Sequence, residues 1–162
     1  MTPPGYGDLL GEQPLRVRKV LAYVVRGSEL LVFRHRDHPI ERTGLQVPAG
    51  TVRPDEPLDD AVLREASEET GLEGLRLVSY LGGTEYDVRP ARPEVHERHV
   101  FHLAPPDDVP CTWTWHELHD GLKPPTAFEF LWLPLAHAHV LAAGMGALLH
   151  RLPEADGYGL AP

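Results

Sequence analysis

The chain has 162 residues, of which 42% are hydrophobic and 24% are charged, a composition typical of one ordinary globular domain. Its formal net charge of −9 argues against a general nucleic-acid-binding surface, although it allows a small nucleotide in a locally basic pocket. Cys111 is the only cysteine, so no disulfide can form within the chain. We expect Cys111 to be a small buried side chain in a cytoplasmic protein.

The two ends of the chain carry little structural pattern. Residues 1–15 are rich in proline and glycine and predict a loose arm, and residues 153–162 predict a mobile tail. The arm lacks the basic start and apolar run of a signal peptide. No apolar stretch approaches the roughly 18 residues of a membrane span, so we expect a soluble domain over residues 16–152 and no membrane partner.

The first predicted elements are strands. Arg16–Arg26 and Glu29–Arg34 are rich in β-branched and apolar residues, and the intervening Gly27-Ser28 predicts a hairpin. Asp37–Gly44 is typical of a loop, and Leu45–Gly50 predicts a short strand that ends in a turn. A glycine at the end of that strand allows close approach of the backbone to a metal ion or a phosphate.

An amphipathic helix follows this turn. Asp55 or Glu56 is expected to cap its N-terminus, with Pro57 in the first turn. Gly71, directly after Thr70, is expected to end the helix in a left-handed conformation. The apolar stripe of this helix consists of Leu58, Ala61, Val62 and Ala66.

Further strands are predicted after the helix. Leu75–Val88 predicts one strand with a bulge near its Gly-Gly pair, or two strands, and Arg98–Leu103 predicts another. Cys111–Leu118 alternates clearly, and Phe128–Leu133 predicts the last strand.

A closing helix is predicted over His137–Leu152, where apolar residues recur at helical spacing, although Gly144 and Gly146 weaken this prediction. Strands on both sides of one helix, followed by a terminal helix, imply a layered α/β domain.

The central helix carries an acidic cluster in an unexpected place. Glu65, Glu68 and Glu69 are spaced as neighbours on one side of a helix, and Glu65 and Glu69 point in nearly the same direction as Leu58 and Val62. Like charges at this spacing each cost roughly 0.2–0.5 kcal/mol, and partial burial would raise the pKa values of these carboxylates. A divalent cation would offset both costs, and oxygen ligands suit Mg²⁺ or Mn²⁺ rather than Zn²⁺.

The spacing around this cluster is more specific than the cluster alone. It reads Gly, five residues, Glu, seven residues, Arg-Glu, an apolar residue, any residue, Glu-Glu, any residue, Gly and an apolar residue. The chain therefore resembles the Nudix hydrolases, whose signature box this spacing matches without a mismatch. The matching positions are Gly50, Glu56, Arg64, Glu65, Ala66, Glu68, Glu69, Gly71 and Leu72.

The resemblance implies a Nudix fold, in which a mixed β-sheet is sandwiched between α-helices. It also implies a metal-dependent pyrophosphohydrolase that cleaves a nucleoside diphosphate linked to another moiety, with Mg²⁺ or Mn²⁺ as cofactor. The implied metal ligands are Glu65, Glu68, Glu69 and the Gly50 carbonyl, whereas Glu56 and Arg64 would pair to hold the loop against the helix. Glu65, Glu69 and Arg64 are the implied catalytic residues, and a homodimer is a candidate assembly.

The general base and the phosphate ligands remain open. Glu65 is one candidate base, and Glu97, Glu117 and Glu129 are alternatives that the sequence does not distinguish from solvated carboxylates. Basic residues cluster before the box, and Arg34 and Arg36 would share a face of a continuing strand. We expect this pair to bind phosphate, because the planar guanidinium matches phosphate oxygens.

Aromatic and histidine residues allow further hypotheses. Trp113, Trp115, Trp132 and Phe128 are expected to face the core, with stacking of a base on one of them as the alternative. The histidines show neither the helical spacing nor the cysteine partners of a zinc site.

A second class of function is a Nudix-fold sensor that binds a nucleotide without cleaving it. Such modules often lose box carboxylates, all of which are present here, so an enzyme is favoured. Pro48-Ala49-Gly50 at the turn is similar to that of some nucleotide-sugar hydrolases of the family, but the substrate group stays open.

Overall fold

The computed structural model describes residues 13–153, so nearly all of the predicted arm and tail lies outside the described residues. Seven strands form the sheet, and within residues 13–153 no helix has the length and apolarity that crossing a membrane requires. The strands are β1 (Leu15–Arg26), β2 (Glu29–His35), β3 (Ala49–Thr51), β4 (Arg76–Asp87), β5 (Glu94–Ala104), β6 (Trp113–Glu117) and β7 (Thr126–Pro134). The α-helices are α1 (Ile40–Thr43) and α2 (Leu58–Thr70).

The predicted hairpin is confirmed, but its strands separate soon after the turn. β1 pairs with β2 only at Val25 and Arg26, and between Lys19 and Leu21 the same edge of β1 pairs with β3. The strand order is β4-β5-β1-β2-β7-β6, and only the β1–β5 pairing is parallel. This mixed sheet confirms the predicted α/β class, and its divergence beside β1 opens a cleft between β3 and β2.

Each face of the sheet has its own apolar core. On one face, α2 buries Ala61, Val62 and Ala66 against alternate residues of β1, β2, β5 and β7. On the other face, the segment after β7 covers the remaining alternate residues. β2 is therefore buried on both faces, and its residues Leu30–Phe33 are at most 2% exposed.

The predicted box helix is confirmed as α2, although its start differs from the prediction. Gly71 ends the helix at φ 74° and ψ 4°, and its N–H donates to the Ser67 carbonyl. The expected cap at Asp55 or Glu56 is wrong, because Pro57 occupies the N-cap position in an extended conformation without a side-chain capping bond. The Glu56 carboxylate instead accepts hydrogen bonds from Arg64.

The predicted closing helix is also wrong. The segment forms two 3₁₀ helices, Leu135–Val140 and Leu149–Arg151, joined by turns. Ala143 and Gly144 have φ values of 53° and 67°, which an α-helix cannot include. The backbone there bonds to other elements instead: the Ala142 N–H donates to the Leu45 carbonyl, and the Met145 carbonyl accepts from the Tyr23 hydroxyl.

Other predicted elements shift in extent. The loop before the box contains α1, and the strand predicted over Leu45–Gly50 is limited to β3 with isolated bridges at Leu45 and Gln46. Leu75–Val88 is one strand whose register shifts near Leu77 and Tyr80, as a bulged strand requires. The Cys111 side chain is exposed rather than buried.

Candidate active site

Gly50 and Glu65 form the closest contact between the box loop and α2. A Cβ atom built on Gly50 would lie 1.9 Å from Cδ of Glu65, far inside van der Waals contact. No side chain can occupy this position unless the carboxylate moves. The glycine therefore places the backbone of β3 directly against the acidic side of α2.

Arg64 joins the loop to the helix through several hydrogen bonds. Its Nε and Nη2 atoms donate to the two carboxylate oxygens of Glu56 at 2.7 and 2.8 Å. Nη2 also donates to the Thr51 carbonyl at 3.2 Å, and Nη1 donates to Glu65 at 2.8 Å and to Glu68 at 3.3 Å. The Arg64 hydrogen bonds lower the pKa of Glu56 to about 2, so this carboxylate stays ionised well into acid.

Glu69 is an ionisable group with little compensation for its burial. Its side chain is only 6% exposed, and the Ala49 N–H donates to it at a long 3.5 Å. Burial raises the pKa of Glu69 well above its ordinary value, and the negative charges of Glu117 and Glu65 raise it further. Burial also raises the pKa of Glu65, against the opposing hydrogen bond from Arg64. The site therefore disfavours its own negative charges when no cation is bound.

Glu117 is a fourth carboxylate at this site. It ends β6, lies across the cleft from α2, and raises the pKa of both Glu65 and Glu69 through its charge. The other two carboxylates that the sequence left open lie elsewhere: Glu97 contacts His99, and Glu129 pairs with Arg34. The pairing of β6 with β7 brings Glu117 to the cleft, and no local sequence pattern marks it.

The donor set fits a hard divalent cation, although it is not arranged as a closed cage. Among residues 13–153, no three Asp, Glu, His or Cys side chains stand in a ready-made metal-binding arrangement. Arg64 bonds one oxygen of Glu65 and one of Glu68, which leaves the other oxygen of each carboxylate for a cation. The buried and poorly paired Glu69 carboxylate is the observation that favours a cation here. Magnesium also suits an open set of oxygen donors, because it retains several waters and binds substrate phosphates.

The cleft beside this cluster has two lobes. The first lobe, about 600 Å³, lies between the box loop, α2 and the end of β6. The second lobe, about 450 Å³, lies where the sheet divides between β3 and the β2–β7 pair. Glu65 and Glu117 line both lobes, whereas Glu68 lines only the first and Glu69 only the second. The acidic cluster therefore stands at the junction of two cavities of ligand-binding size.

A NUDIX domain model matches residues 15–152 of the chain. The chain belongs to the NUDIX family. The members of this family are generally metal-dependent pyrophosphohydrolases, and this NUDIX protein is an enzyme of that type. A search of curated proteins found no match.

Solved structures support the fold of this NUDIX protein. A MutT protein from Methanosarcina mazei Go1 is 22% identical, with a TM-score of 0.62 over 87% of this chain and 95% of that one. A UDP-X diphosphatase is 12% identical, with a TM-score of 0.59 over 88% of this chain and 64% of that one. A MutT NUDIX hydrolase from Burkholderia pseudomallei is 19% identical, with a TM-score of 0.55 over 85% of this chain and 98% of that one.

The cations in the cleft of this NUDIX protein differ from those expected for phosphate binding. Arg34 alternates with Leu31 and Phe33, so it lies on the sheet face opposite α2, where it pairs with Glu129 at 2.6 Å. Neither Arg34 nor Arg36 lines the two lobes. The second lobe is lined instead by two lysines, Lys19 and Lys123, and by the imidazoles of His35 and His119, and Arg53 lines the first lobe. The Lys19 ammonium donates to the Thr51 hydroxyl at 2.6 Å, within electrostatic reach of Glu65.

The tryptophans of this NUDIX protein have unequal positions. Trp132 and Phe128 are buried, as expected, and Trp113 stacks on Phe130 with the ring centroids 4.9 Å apart. Trp115 does not face the core, because its side chain is 42% exposed and lines the first lobe. The strand alternation of β6 predicts that Trp113 and Trp115 share a face, but it does not indicate that the core ends between them.

Proposed function

We propose that the enzyme hydrolyses the diphosphate linkage of a nucleoside diphosphate joined to another moiety, with Mg²⁺ or Mn²⁺ as cofactor. The observation that carries this proposal is the buried Glu69 carboxylate, whose pKa is raised and which stands beside Glu65 and Glu117 at the junction of two cavities. Such a site favours positive charge. It also provides space on both sides for the two ends of a diphosphate ester.

The proposed cofactor ligands are the Gly50 carbonyl, Glu65, Glu68 and Glu69. A bound Mg²⁺ or Mn²⁺ would neutralise phosphate charge and lower the pKa of the attacking water. Gly50 supports this assignment because its lack of a side chain leaves space for the Glu65 carboxylate against β3. Burial of Glu69 supports it as well, since an ionised and poorly paired carboxylate is costly without a cation.

Arg64 is proposed as a positioning residue. It holds Glu56 through two hydrogen bonds and reaches Glu65 and Glu68 with its remaining donor. Because Glu56 holds it through two hydrogen bonds, Arg64 keeps α2 in register with the box loop. Lys19 and Lys123 are the proposed phosphate ligands, because both residues line the second lobe together with Glu69.

Glu117 is the proposed general base. It faces the acidic cluster from β6 and lines both lobes, so the attacking water near Glu65 would lie between it and α2. In the proposed reaction, the water oxygen forms a bond to phosphorus while its proton passes to Glu117. The bond from phosphorus to the bridging oxygen breaks, and the leaving phosphate retains the electron pair. Glu65 is the alternative base where its oxygens are not occupied by the cofactor.

A nucleotide-sugar type of substrate is the favoured subclass. The fold likeness to a UDP-X diphosphatase supports it, together with the Pro48-Ala49-Gly50 turn. Two lobes of similar volume also suit a substrate with an organic group at each end better than a nucleoside triphosphate.

The test is a panel of nucleoside diphosphate derivatives and nucleoside triphosphates, assayed with Mg²⁺, with Mn²⁺ and with EDTA. We expect turnover of at least one diphosphate derivative that EDTA abolishes, and its loss in Glu69→Gln. Binding of a nucleotide without turnover of any compound under all metal conditions would favour a sensor and contradict the proposal. Arg34→Gln is the matched control, because Arg34 lies on the opposite face of the sheet and should retain full activity.

A further inference from the structure

The first lobe is lined by a partly exposed aromatic ring that is held in a defined orientation. The Trp115 indole Nε1–H donates to the Glu68 carbonyl at 2.9 Å. Its ring lies on Gly71, because a Cβ atom there would come within 2.5 Å of the ring. One region of the ring therefore packs against the end of α2, while 42% of the side chain remains exposed.

The neighbouring tryptophan shows what a purely structural role on this strand involves. Trp113 makes the equivalent bond to α2, with its Nε1–H donating to the Thr70 carbonyl at 2.8 Å. Its ring is stacked on Phe130 at an interplanar angle of 12° and packs against the core. Fastening β6 to the end of α2 thus does not require a ring that faces the cleft, and the exposure of Trp115 calls for another explanation.

Other residues of the first lobe extend its apolar surface. Leu118, which also lines this lobe, is 66% exposed, and Val52 and Pro54 line the side formed by the box loop. The second lobe carries the lysines Lys19 and Lys123. Charged side chains, among them Glu65 and Glu117, line both lobes, and the first lobe differs in presenting the exposed Trp115 ring beside Arg53 and Arg64.

We propose that the first lobe binds the planar heteroaromatic base of the substrate by stacking on Trp115, and that Trp115 determines the preference for nucleoside-containing diphosphates. This proposal rests on the proposed function. A diphosphate placed at Glu65 extends one end toward Trp115 and the other toward Lys19, since Glu65 lines both lobes. Stacking on tryptophan tolerates every base, so it selects for the presence of a base rather than for its identity.

The test compares Trp115→Leu and Trp115→Phe with the control Trp113→Phe. Substrates are the best nucleoside diphosphate derivative from the panel and a dialkyl diphosphate without a base. Stacking of one base on an aromatic side chain contributes roughly 1–3 kcal/mol to binding. Its loss in Trp115→Leu should therefore raise KM for the nucleoside substrate roughly 5- to 150-fold. We expect an unchanged KM for the dialkyl diphosphate, a smaller KM rise in Trp115→Phe, and wild-type KM values in Trp113→Phe.

Binding without chemistry provides a second readout. A nucleoside monophosphate titrated in EDTA should quench tryptophan fluorescence in the wild type and in Trp113→Phe, but not in Trp115→Leu. If Trp115→Leu changes KM equally for both substrates, Trp115 only holds Glu68 in place. If Trp115→Leu leaves both KM values and the fluorescence quenching unchanged, the base binds elsewhere. Either result would overturn the proposal. Lack of turnover in the wild type would contradict the proposed function alone, because the quenching measurement does not depend on catalysis.

Discussion

Replacing Glu69 with glutamine should have opposite effects on activity and on stability. Glutamine keeps the shape of the side chain and removes a negative charge that is only 6% exposed and accepts one long hydrogen bond from Ala49. If Glu69 exists to bind a cation, the wild-type protein without metal carries the cost of this charge. The variant should therefore be less active but more stable than the wild type in the absence of metal.

The magnitude follows from the burial of Glu69. A buried group without adequate partners costs about 1–3 kcal/mol, and this amount should be regained in Glu69→Gln. For a domain of this size that corresponds to a rise in Tm of roughly 2–12 °C. Loss of a metal ligand removes several kcal/mol of transition-state stabilisation, so kcat/KM should fall by about 100-fold or more.

The pH dependence has a defined sign. Burial raises the pKa of Glu69 in the folded state above that in the unfolded chain. The cost to stability is therefore absent below the ordinary glutamate pKa, grows as the pH rises from that value to the raised one, and is constant above it. In EDTA, the wild type and Glu69→Gln should melt at similar temperatures near pH 4, and the variant should be more stable at pH 8.

Thermal melts in EDTA and in Mg²⁺ provide the assay. Magnesium at 100 times its Kd should stabilise the wild type by about 2.7 kcal/mol and should stabilise Glu69→Gln much less. If Glu69→Gln melts below the wild type at pH 8 in EDTA, the carboxylate is satisfied by contacts within the protein. That result would refute the inference that the charge of Glu69 is poorly compensated when no cation is bound, since Lys19 offsets only part of the effect of burial.

Three further predictions follow from other contacts. Gly50→Ala should lower kcat at least about 10-fold with little change in Tm, because its Cβ would displace the Glu65 carboxylate, a proposed metal ligand. The control is Gly83→Ala, where a Cβ meets only ordinary contacts. Equal kcat values for the two variants would contradict this prediction. Glu56→Gln should lower the free energy of unfolding at neutral pH, because it removes the ion pair with Arg64. Urea titrations should show the difference between wild type and variant shrinking as the pH falls from 4.5 toward 2. A difference that stays constant with pH would exclude the ion pair as its cause. Lys19→Met should raise KM roughly 10-fold, whereas Arg34→Met should not, and the reverse result would move phosphate binding to the opposite face.

The box helix could be predicted because its information is local. Residues three and four apart on a helix are neighbours whatever the rest of the fold, so Glu65 and Glu69 could be placed together from the sequence. Gly71 likewise acts on its own turn. The same reasoning failed for the C-terminal segment, where an apolar spacing typical of a helix accompanies positive φ values at Ala143 and Gly144. Bonds to Leu45 and Tyr23, which are distant in sequence, stabilise the non-helical path.

The rest of the cleft depends on which sheet face a residue occupies. Leu30–Phe33 are all buried, so β2 shows no alternation that would tell which face α2 covers. Arg34 was therefore expected beside the box, although it lies behind the sheet. Glu117 and Trp115 reach the cleft only through the pairing of β6 with β7, which no local pattern encodes.

Binding of a divalent cation by the α2 carboxylates can be measured by titrating the protein with Mn²⁺ and following the free ion by electron paramagnetic resonance. We expect saturable binding in the wild type, competition by Mg²⁺, and at least about 10-fold weaker binding in Glu69→Gln and Glu65→Gln, while Arg34→Gln should bind as the wild type does. Absence of saturable binding in the wild type, or equal affinity in all four proteins, would contradict a divalent-cation site on α2.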